Sequence, residues 1–246
     1  MDFLKDLLGE KVNPKDVAPA VTYHDQLNPS LWDKNNIKPD IREKMEQIAH
    51  AFIKSLKLPE LKVTDIILTG SAANFNWTKQ SDIDLHIVAD LTNIRKVNPD
   101  LLDDYLFAKK ANWNNTHSIK IYGFDVELYV QDEKESHASS GVYSILKDKW
   151  ITKPKYQKPT IDDSSVKIKA AALMDLIDSH IENDCSDIDD VEKTKEKIKK
   201  FRQSGLSSGG EFSIENLVFK TLRNNGYLRK LSDCYIAAID KALSLE

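Results

Sequence analysis

The sequence predicts an α+β fold, in which a small mixed sheet flanked by helices is followed by a helical C-terminal region. Three observations lead to this prediction. Short apolar runs at residues 63–69, 83–88 and 118–132 have the length and composition of strands. Residues 39–56 carry apolar side chains at helical spacing. From residue 164 onward, charged amphipathic segments replace the strand-like runs.

The N-terminal elements come first along the chain. Residues 2–9 have apolar side chains at i, i+4 spacing and predict a short amphipathic helix ending near Gly9. Residues 10–36 are rich in Pro and Asn, show no period, and predict an extended arm or loop. A helix opening at Pro39 and stopping before Pro59 follows. Its predicted buried stripe is Ile41, Met45, Ile48, Ala49, Phe52 and Leu56.

The strand-like runs are expected to form the sheet. VTDIILT (63–69) leads into Gly70, and IDLHIV (83–88) follows after a polar link that is too short for a crossover helix, which predicts neighbouring strands. Residues 100–113 predict a helix. In SIKIYGFDVELYVQD (118–132), the Tyr122-Gly123 pair predicts a hairpin turn or bulge.

The pattern changes after residue 133. The segment HASSGVYS predicts a loop, and the Pro-containing residues 147–160 predict irregular chain. Two helices are predicted at residues 164–183 and 187–203. A flexible Ser/Gly loop is predicted at 204–210, and one or two closing helices at 211–246. The predicted domains are an N-terminal helix and arm at 1–36, a mixed α/β domain at 37–135, and a mainly helical domain at 136–246.

Composition sets broad limits on function. The 246 residues are 41% hydrophobic and 30% charged, an ordinary globular balance. A net charge of −4 argues against coating of nucleic acid by bulk electrostatics, although a local basic groove is still compatible with it. Cys185 and Cys234 lie far apart and predict two reduced thiols. No apolar run has the ~18–20 residues of a membrane span, and the first residues do not resemble a signal peptide. We therefore expect a cytoplasmic protein without a membrane partner.

The chemistry is concentrated in Gly70-Ser71 and in Asp82-Ile83-Asp84, ten residues further on. A strand that ends in Gly-Ser offers amide N–H groups and a hydroxyl to a phosphate. Residues i and i+2 of a strand face the same way, so Asp82 and Asp84 are expected to project together. Two adjacent carboxylates repel unless a cation lies between them. Mg²⁺ bound to triphosphate oxygens supplies such a cation.

The run LTGSAANFNWTKQSDIDLHIV resembles the signature of the DNA polymerase β-like nucleotidyltransferase superfamily. The resemblance is specific over residues 63–90 and more general beyond residue 130. It implies a nucleotidyltransferase-type sheet and a catalytic domain at 37–135. It also implies that Gly70 and Ser71 hold the triphosphate of an NTP, while Asp82 and Asp84 bind two Mg²⁺ ions, for which Mn²⁺ could substitute. A third metal-binding carboxylate is then expected from a later strand.

The third carboxylate is expected on the strand FDVELYV. Val126, Leu128 and Val130 form its apolar face, so Asp125 and Glu127 share the other face. We favour Glu127, which sits mid-strand between core residues, and keep Asp125, close to the Gly123 turn, as the alternative. Members of the superfamily more often carry Asp here.

Further nucleotide-binding residues are predicted from their position. Ser81 precedes the acidic pair, and Tyr143 follows a Ser-Ser-Gly stretch, where it would stack a base or belong to an ordinary loop. Relatives point a Lys or Arg from a C-terminal helix at the triphosphate, and Lys220 is our choice for this role. His86 shares the side of Asp84 and is expected at most to support the metal ligands.

The sequence thus predicts a Mg²⁺-dependent enzyme that moves a nucleoside monophosphate from an NTP, ATP by default, to an acceptor hydroxyl. The acceptor is open: an RNA 3′ end, a protein, a small molecule or a nucleotide. A nucleotide-binding regulatory or antitoxin-like module with little turnover is the alternative. The intact pair Asp82 and Asp84 favours the enzyme, because clustered carboxylates are costly without a task.

Overall fold

A computed structural model describes residues 11–96, 99–136, 139–156 and 161–245. The helix predicted at residues 2–9 lies outside these residues. The chain divides into two units, one formed by the described residues of Thr22–Gln157 and the other by those of Met1–Val21 and Lys158–Glu246. The first unit contains the sheet and the second is helical, so the predicted α+β class is confirmed.

The sheet unit begins with a two-stranded ribbon and a long helix. Its elements are β1 (Trp32–Asp33), β2 (Asn36–Ile37), α1 (Pro39–Leu56), β3 (Lys62–Thr69), β4 (Ile83–Asp90), the short α2 (Thr92–Arg95), α3 (Pro99–Thr116), β5 (Lys120–Ile121), β6 (Phe124–Asp132), β7 (Val142–Ser144) and β8 (Lys149–Thr152). The six main strands follow the order β5-β6-β4-β3-β7-β8, with β4 and β6 parallel and the other neighbours antiparallel.

The predicted helix at residue 39 is confirmed together with its buried stripe. Pro39 occupies the first turn, where a missing N–H costs nothing, and the six predicted apolar residues are the buried ones. They pack against the inner sides of β3, β4 and β6, which supply fully buried residues such as Ile66, Leu85 and Leu128. The strands at β3 and β4, the helix α3 and the hairpin turn at Tyr122-Gly123 also match the predictions.

Two segments predicted as irregular are strands. Leu68 of β3 pairs with Tyr143 of β7, and Tyr143 pairs in turn with Trp150 of β8. The indole of Trp150 stacks on that of Trp32, at 4.8 Å between ring centroids, and the Trp32 indole N–H donates to the carbonyl of Ala72 at 2.8 Å. Because these contacts tie residues 27–32 and 142–152 to the sheet, the units divide near residues 21 and 157 rather than at the predicted 36 and 135.

Among the described residues of the helical unit are four helices, α4 (Asp163–Glu182), α5 (Ile188–Gly209), α6 (Ile214–Asn224) and α7 (Tyr227–Leu243). Side chains of Asp162, Asp187 and Ser213 cap the first three by accepting a backbone N–H three residues later. Val17 and Ala20 of the N-terminal segment are buried in the core of this unit. No helix of the described residues is both long and apolar enough to cross a membrane.

The predicted flexible loop at 204–210 is wrong for most of its length, because α5 continues to Gly209. A Cβ on Gly205 would lie 2.5 Å from the Cβ of Glu215 and 2.6 Å from the hydroxyl oxygen of Ser213. The absence of a side chain at Gly205 therefore allows α5 to approach the start of α6 closely. The prediction of a flexible loop rested on the Ser/Gly composition alone, whereas Gly205 allows close helix packing.

The prediction of two reduced thiols is also corrected. Cys185 and Cys234 form a disulfide, with their Cα atoms 5.5 Å apart. Cys185 follows the end of α4 with positive φ, and this turn directs it toward α7, which carries Cys234. A sequence separation of 49 residues hides this proximity. The thiol argument for a cytoplasmic protein therefore no longer applies.

Candidate active site

The centre of the site is the turn that follows β3. Gly70 has φ +70°, in the left-handed region, and opens a short 3₁₀ helix at Gly70–Ala73. A Cβ at this position would lie only 2.2 Å from Oδ2 of Asp84. The Asp84 carboxylate thus lies against the backbone of Gly70, in space that any other residue would fill. Sequence analysis placed these two residues in one site, and the structure brings them into contact.

Three neighbouring strands each contribute one residue to the site. Thr69 of β3 is the register partner of Asp84 of β4, which is the partner of Glu127 of β6. Residues in register on neighbouring strands project to the same face about 4.8 Å apart. Asp84 and Glu127 therefore stand side by side, next to the Gly70 turn. We call Thr69, Asp84 and Glu127 the carboxylate row.

Burial confirms the predicted alternation along β4. Asp82, Asp84 and His86 are partly exposed, whereas Ile83 and Leu85 between them are completely buried. Asp82 immediately precedes the strand and Asp84 is its second residue. The two carboxylates therefore share one face, as the i, i+2 spacing requires.

Glu127 has a lysine partner that the sequence did not reveal. The ammonium of Lys110, on α3, lies 3.6 Å from Oε2 of Glu127, and 46% of the Glu127 side chain is exposed. Both residues line a cleft of about 230 Å³ together with Asp84, His86 and Tyr129. The period-2 pattern of β6 would have found Tyr129, which is two residues after Glu127. No local pattern distinguishes Lys110 from other helix lysines.

Asp125, the alternative third carboxylate, is held elsewhere. It pairs with Lys120 across the β5-β6 hairpin, and its Oδ1 lies 2.7 Å from the Lys120 ammonium. The register between β4 and β6 begins only at Ile83 and Val126, one residue beyond Asp125. Geometry therefore favours Glu127, whose role in metal binding stays a prediction.

His86 and Tyr129 line the same cleft. Nδ1 of His86 is 2.8 Å from the side-chain oxygen of Gln131, which fixes the imidazole on the β6 side of its strand. The Tyr129 ring lies 5.2 Å from the His86 ring. Burial raises the pKa of the Tyr129 phenol above its usual value, and the negative charges of Glu135 and Asp103 raise this pKa further. The phenol is therefore protonated, and able to donate a hydrogen bond, at neutral pH.

A set of serines organises the Gly-Ser turn. The hydroxyl of Ser71 donates to that of Ser81 at 2.9 Å, and Ser81 also accepts the N–H of Thr78 at 2.8 Å. Ser81 is only 5% exposed. The sequence predicted that Ser81 contacts the nucleotide. The structure instead places Ser81 behind Ser71, where it orients the Ser71 hydroxyl.

The loop before β7 packs on the same turn. The N–H of Gly70 donates to the hydroxyl of Ser139 at 3.2 Å, and the amide of Asn74 donates to Ser140 at 2.6 Å. A Cβ on Gly141 would lie 2.0 Å from the carbonyl oxygen of Ala73. The Ser139–Gly141 segment thus lies directly on the Gly70–Ala73 turn.

The predicted base-stacking role of Tyr143 is wrong. Its side chain is 2% exposed, its hydroxyl donates to Asp148 at 2.7 Å, and its ring packs against Trp32 and Trp150. Burial raises the pKa of this phenol strongly, and the hydrogen bond to Asp148 adds to the shift. The apolar Val-Tyr pair belongs to a strand, and only a long-range pairing reveals it. Lys220 lies partly buried on α6 of the helical unit, and its nucleotide-binding role stays a prediction.

The carboxylates of the site suit a divalent cation that a bound triphosphate helps to hold. Within residues 11–96, 99–136, 139–156 and 161–245, no three His, Cys, Asp or Glu side chains are gathered closely enough to hold a metal on their own. Mg²⁺, however, is commonly bound by one or two carboxylates, with phosphate oxygens and water completing its shell. Asp84 and Glu127, in register on one face, match that requirement together with a bound triphosphate.

Comparisons with known proteins give one family match. Residues 50–154 match the family model described as a nucleotidyltransferase domain, a range that runs from α1 through β8 and includes the whole carboxylate row. The search of curated proteins found no match. Among solved structures, the chain is similar to "Structure of STING-associated CdnE c-di-GMP synthase from Capnocytophaga granulosa", at 12% identity and a TM-score of 0.24, with 84% of each chain covered.

Proposed function

We propose that the protein transfers a nucleoside monophosphate from an NTP to an acceptor hydroxyl, because residues 50–154 match the family model described as a nucleotidyltransferase domain. The oxygen of the acceptor forms a bond to the α-phosphorus, and the bond from this phosphorus to the bridging oxygen of the β-phosphate breaks. Pyrophosphate leaves, and the hydroxyl proton passes to a carboxylate or to water. ATP is the default NTP of the proposal, and Mg²⁺ its cation.

The observation that carries the proposal is the contact of the Gly70 turn with Asp84, the middle residue of the carboxylate row. It places a turn that suits a phosphate beside two carboxylates that suit a cation. Mg²⁺ bound between these carboxylates and the triphosphate would neutralise the charge that develops during transfer.

The side chains in and beside the carboxylate row would then have separate tasks. Asp84 would hold the cation near the Gly70 turn, with Asp82 completing the acidic side of the site. The Ser71 hydroxyl, oriented by Ser81, would donate to the triphosphate. Glu127, at the other end of the row, would accept a hydrogen bond from the attacking hydroxyl and draw off its proton. Lys110 would have to exchange its ion pair with Glu127 for this to occur.

One observation favours the second candidate, a nucleotide-binding module with little turnover. The Lys110 ammonium already neutralises Glu127, so a cation must compete for this carboxylate. Pyrophosphate release separates the two candidates, because a binding module takes up NTP without releasing it.

The experiment combines a binding and a turnover measurement. The protein is melted with each NTP and Mg²⁺, with either component alone, and with NTP in EDTA. A ligand at a hundred times its Kd stabilises the native state by about 2.7 kcal/mol, and we expect this only for NTP with Mg²⁺. Pyrophosphate release from labelled NTPs is followed in parallel.

Asp84→Ala is the variant that tests the site, and Asp100→Ala, an exposed aspartate at the start of α3, is its control. We expect D84A to stay folded and to lose both pyrophosphate release and the Mg²⁺-dependent stabilisation, while D100A keeps both. Near-normal transfer by D84A would reject the site. Equal stabilisation by NTP in EDTA would instead support a metal-free binding module.

A further inference from the structure

A second and larger cleft adjoins the carboxylate row. It has a volume of about 540 Å³ and lies between α2, α3 and β6, with Leu91, Leu106, Phe107 and Val130 as apolar lining residues. Lys110 and Tyr129 line both this cleft and the smaller one that contains Asp84 and Glu127. The two clefts are therefore neighbours along β6, and we call the larger one the α3 cleft.

The order of the strands indicates from which end of the site the acceptor would enter. The phosphate turn belongs to β3, Asp84 to β4 and Glu127 to β6, in the spatial order β6-β4-β3. If the triphosphate lies at the β3 end, an acceptor aligned with the α-phosphorus must enter from the β6 end. β5 pairs with Phe124 and Asp125, and the N–H of Val126 donates to the carbonyl of Ile119, so the described strands leave the outer side of β6 unpaired from Glu127 onward. The α3 cleft lies on this side.

The cations of the cleft already have carboxylate partners. Arg95 lies 2.9 Å from Asp103 and 3.3 Å from Asp132, and Lys110 lies 3.6 Å from Glu127. Neither cation is therefore available to a phosphate without losing an ion pair. Arg95 is held by two carboxylates, so this part of the lining is negative.

Two further carboxylates add to the negative charge. Asp104 and Glu135 line the cleft and are exposed. A phosphate-bearing acceptor would meet like charges, whereas an ammonium group would be attracted.

An aromatic surface completes the cleft. Phe107 is 74% exposed and Tyr129 41% exposed, and both rings face solvent beside the buried Leu106. Exposed aromatic side chains provide contact area for an apolar body. The volume falls in the range of about 300–1,000 Å³ that is typical for small-molecule sites.

We propose that the α3 cleft binds the acceptor, and that the acceptor is a small hydroxyl compound with an apolar or aromatic body and a neutral or positive charge. The inference rests on the proposed function and excludes a nucleotide or an RNA 3′ end as the preferred acceptor. Its hydroxyl oxygen attacks the α-phosphorus beside Glu127, the proton passes to Glu127, and pyrophosphate leaves.

The test uses three phenols that differ only in the charge of the side chain: tyramine, 4-ethylphenol and 3-(4-hydroxyphenyl)propanoate. Their affinities for the full chain are measured by calorimetry with NTP and Mg²⁺, and transfer of label from α-labelled NTP is followed. Two exposed carboxylate–ammonium contacts predict that tyramine binds roughly five- to tenfold more tightly than the propanoate.

Matched double variants assign the preference to the cleft. Asp104→Asn with Glu135→Gln should abolish the preference for tyramine, whereas Asp100→Asn with Glu133→Gln removes the same charge from neighbouring exposed positions and should keep it. Equal binding of the three phenols, a preference that survives D104N/E135Q, or faster labelling of an RNA oligonucleotide overturns the inference. The failure of every NTP to stabilise the protein with Mg²⁺, read before any phenol is added, rejects the proposed function instead.

Discussion

Replacing Gly70 by alanine tests whether the contact between the phosphate turn and Asp84 is needed for catalysis. The new Cβ would lie 2.2 Å from Oδ2 of Asp84, and contacts of a Cβ below 3.0 Å are essentially never seen. The carboxylate or the turn must therefore move by at least the difference between 3.0 and 2.2 Å, about 0.8 Å. A misplacement of about 1 Å in an active site costs about 10²-fold in rate, or about 2.7 kcal/mol of barrier.

The same substitution also has a conformational cost, which needs a control. Alanine in the left-handed region costs about 1–2 kcal/mol of stability relative to glycine. Gly123, in the β5-β6 turn, has φ +87°, and a Cβ there would meet nothing within 4 Å. Gly123→Ala therefore has the backbone cost without the clash. We expect both variants to lose about 1–2 kcal/mol of unfolding free energy and only G70A to lose activity.

The assay is pyrophosphate release at saturating NTP and Mg²⁺, at a temperature well below the melting transition of both variants. Denaturant unfolding of the same samples measures the loss of stability. G70A activity within threefold of the parent protein would refute the reasoning, because it would mean that the Asp84 carboxylate need not lie against the turn. An equal loss of activity in G123A would attribute the effect to general destabilisation.

Three further predictions concern the third carboxylate, the core tyrosine and the disulfide. Glu127→Gln should lower the rate by about 10²- to 10⁴-fold, and Asp125→Asn by less than about tenfold, because only Glu127 is in register with Asp84. An inactive D125N variant beside an active E127Q variant would reverse the assignment. Tyr143→Phe should cost about 1 kcal/mol of stability, through its lost hydrogen bond, with an unchanged KM for NTP; a raised KM would restore the base-stacking hypothesis. Replacing Cys185 and Cys234 together by serine should lower the unfolding free energy by about 4 kcal/mol, from the closure entropy of a loop with a separation of 49 residues; equal stability of variant and parent under oxidising conditions would contradict the bridge.

Much of the fold was predictable because the signal is local. The stripe from Ile41 to Leu56 has helical spacing, and the alternation around Asp84 has the period of a strand, so each pattern reports burial on one face. Strands β7 and β8 have no such signal. Both are short, and the partner of β7 lies more than 70 residues away in β3, as the pairing of Leu68 with Tyr143 illustrates; β8 joins the sheet only through β7. Pairing over such a distance depends on tertiary contacts that composition does not encode.

In the candidate site, too, only the features with a local sequence signal were predictable. The period of two places Asp82 and Asp84 together, and the apolar frame of β6 singles out Glu127. The position of Glu127 opposite Asp84 depends on the register between two strands that are separated by a helix. Lys110 comes from that helix, and its contact with Glu127 has no counterpart in sequence spacing.

The Lys110–Glu127 ion pair also connects the two clefts in physical terms. With no divalent cation between Asp84 and Glu127, two carboxylates about one strand spacing apart would repel, and the lysine relieves this repulsion at 3.6 Å. Mg²⁺ held by the two carboxylates would relieve the same repulsion. The Lys110 ammonium also lies 5.7 Å from the centroid of the Tyr129 ring. Lys110 lines both clefts, so its ion pair with Glu127 links the charge of the cation site to that of the α3 cleft.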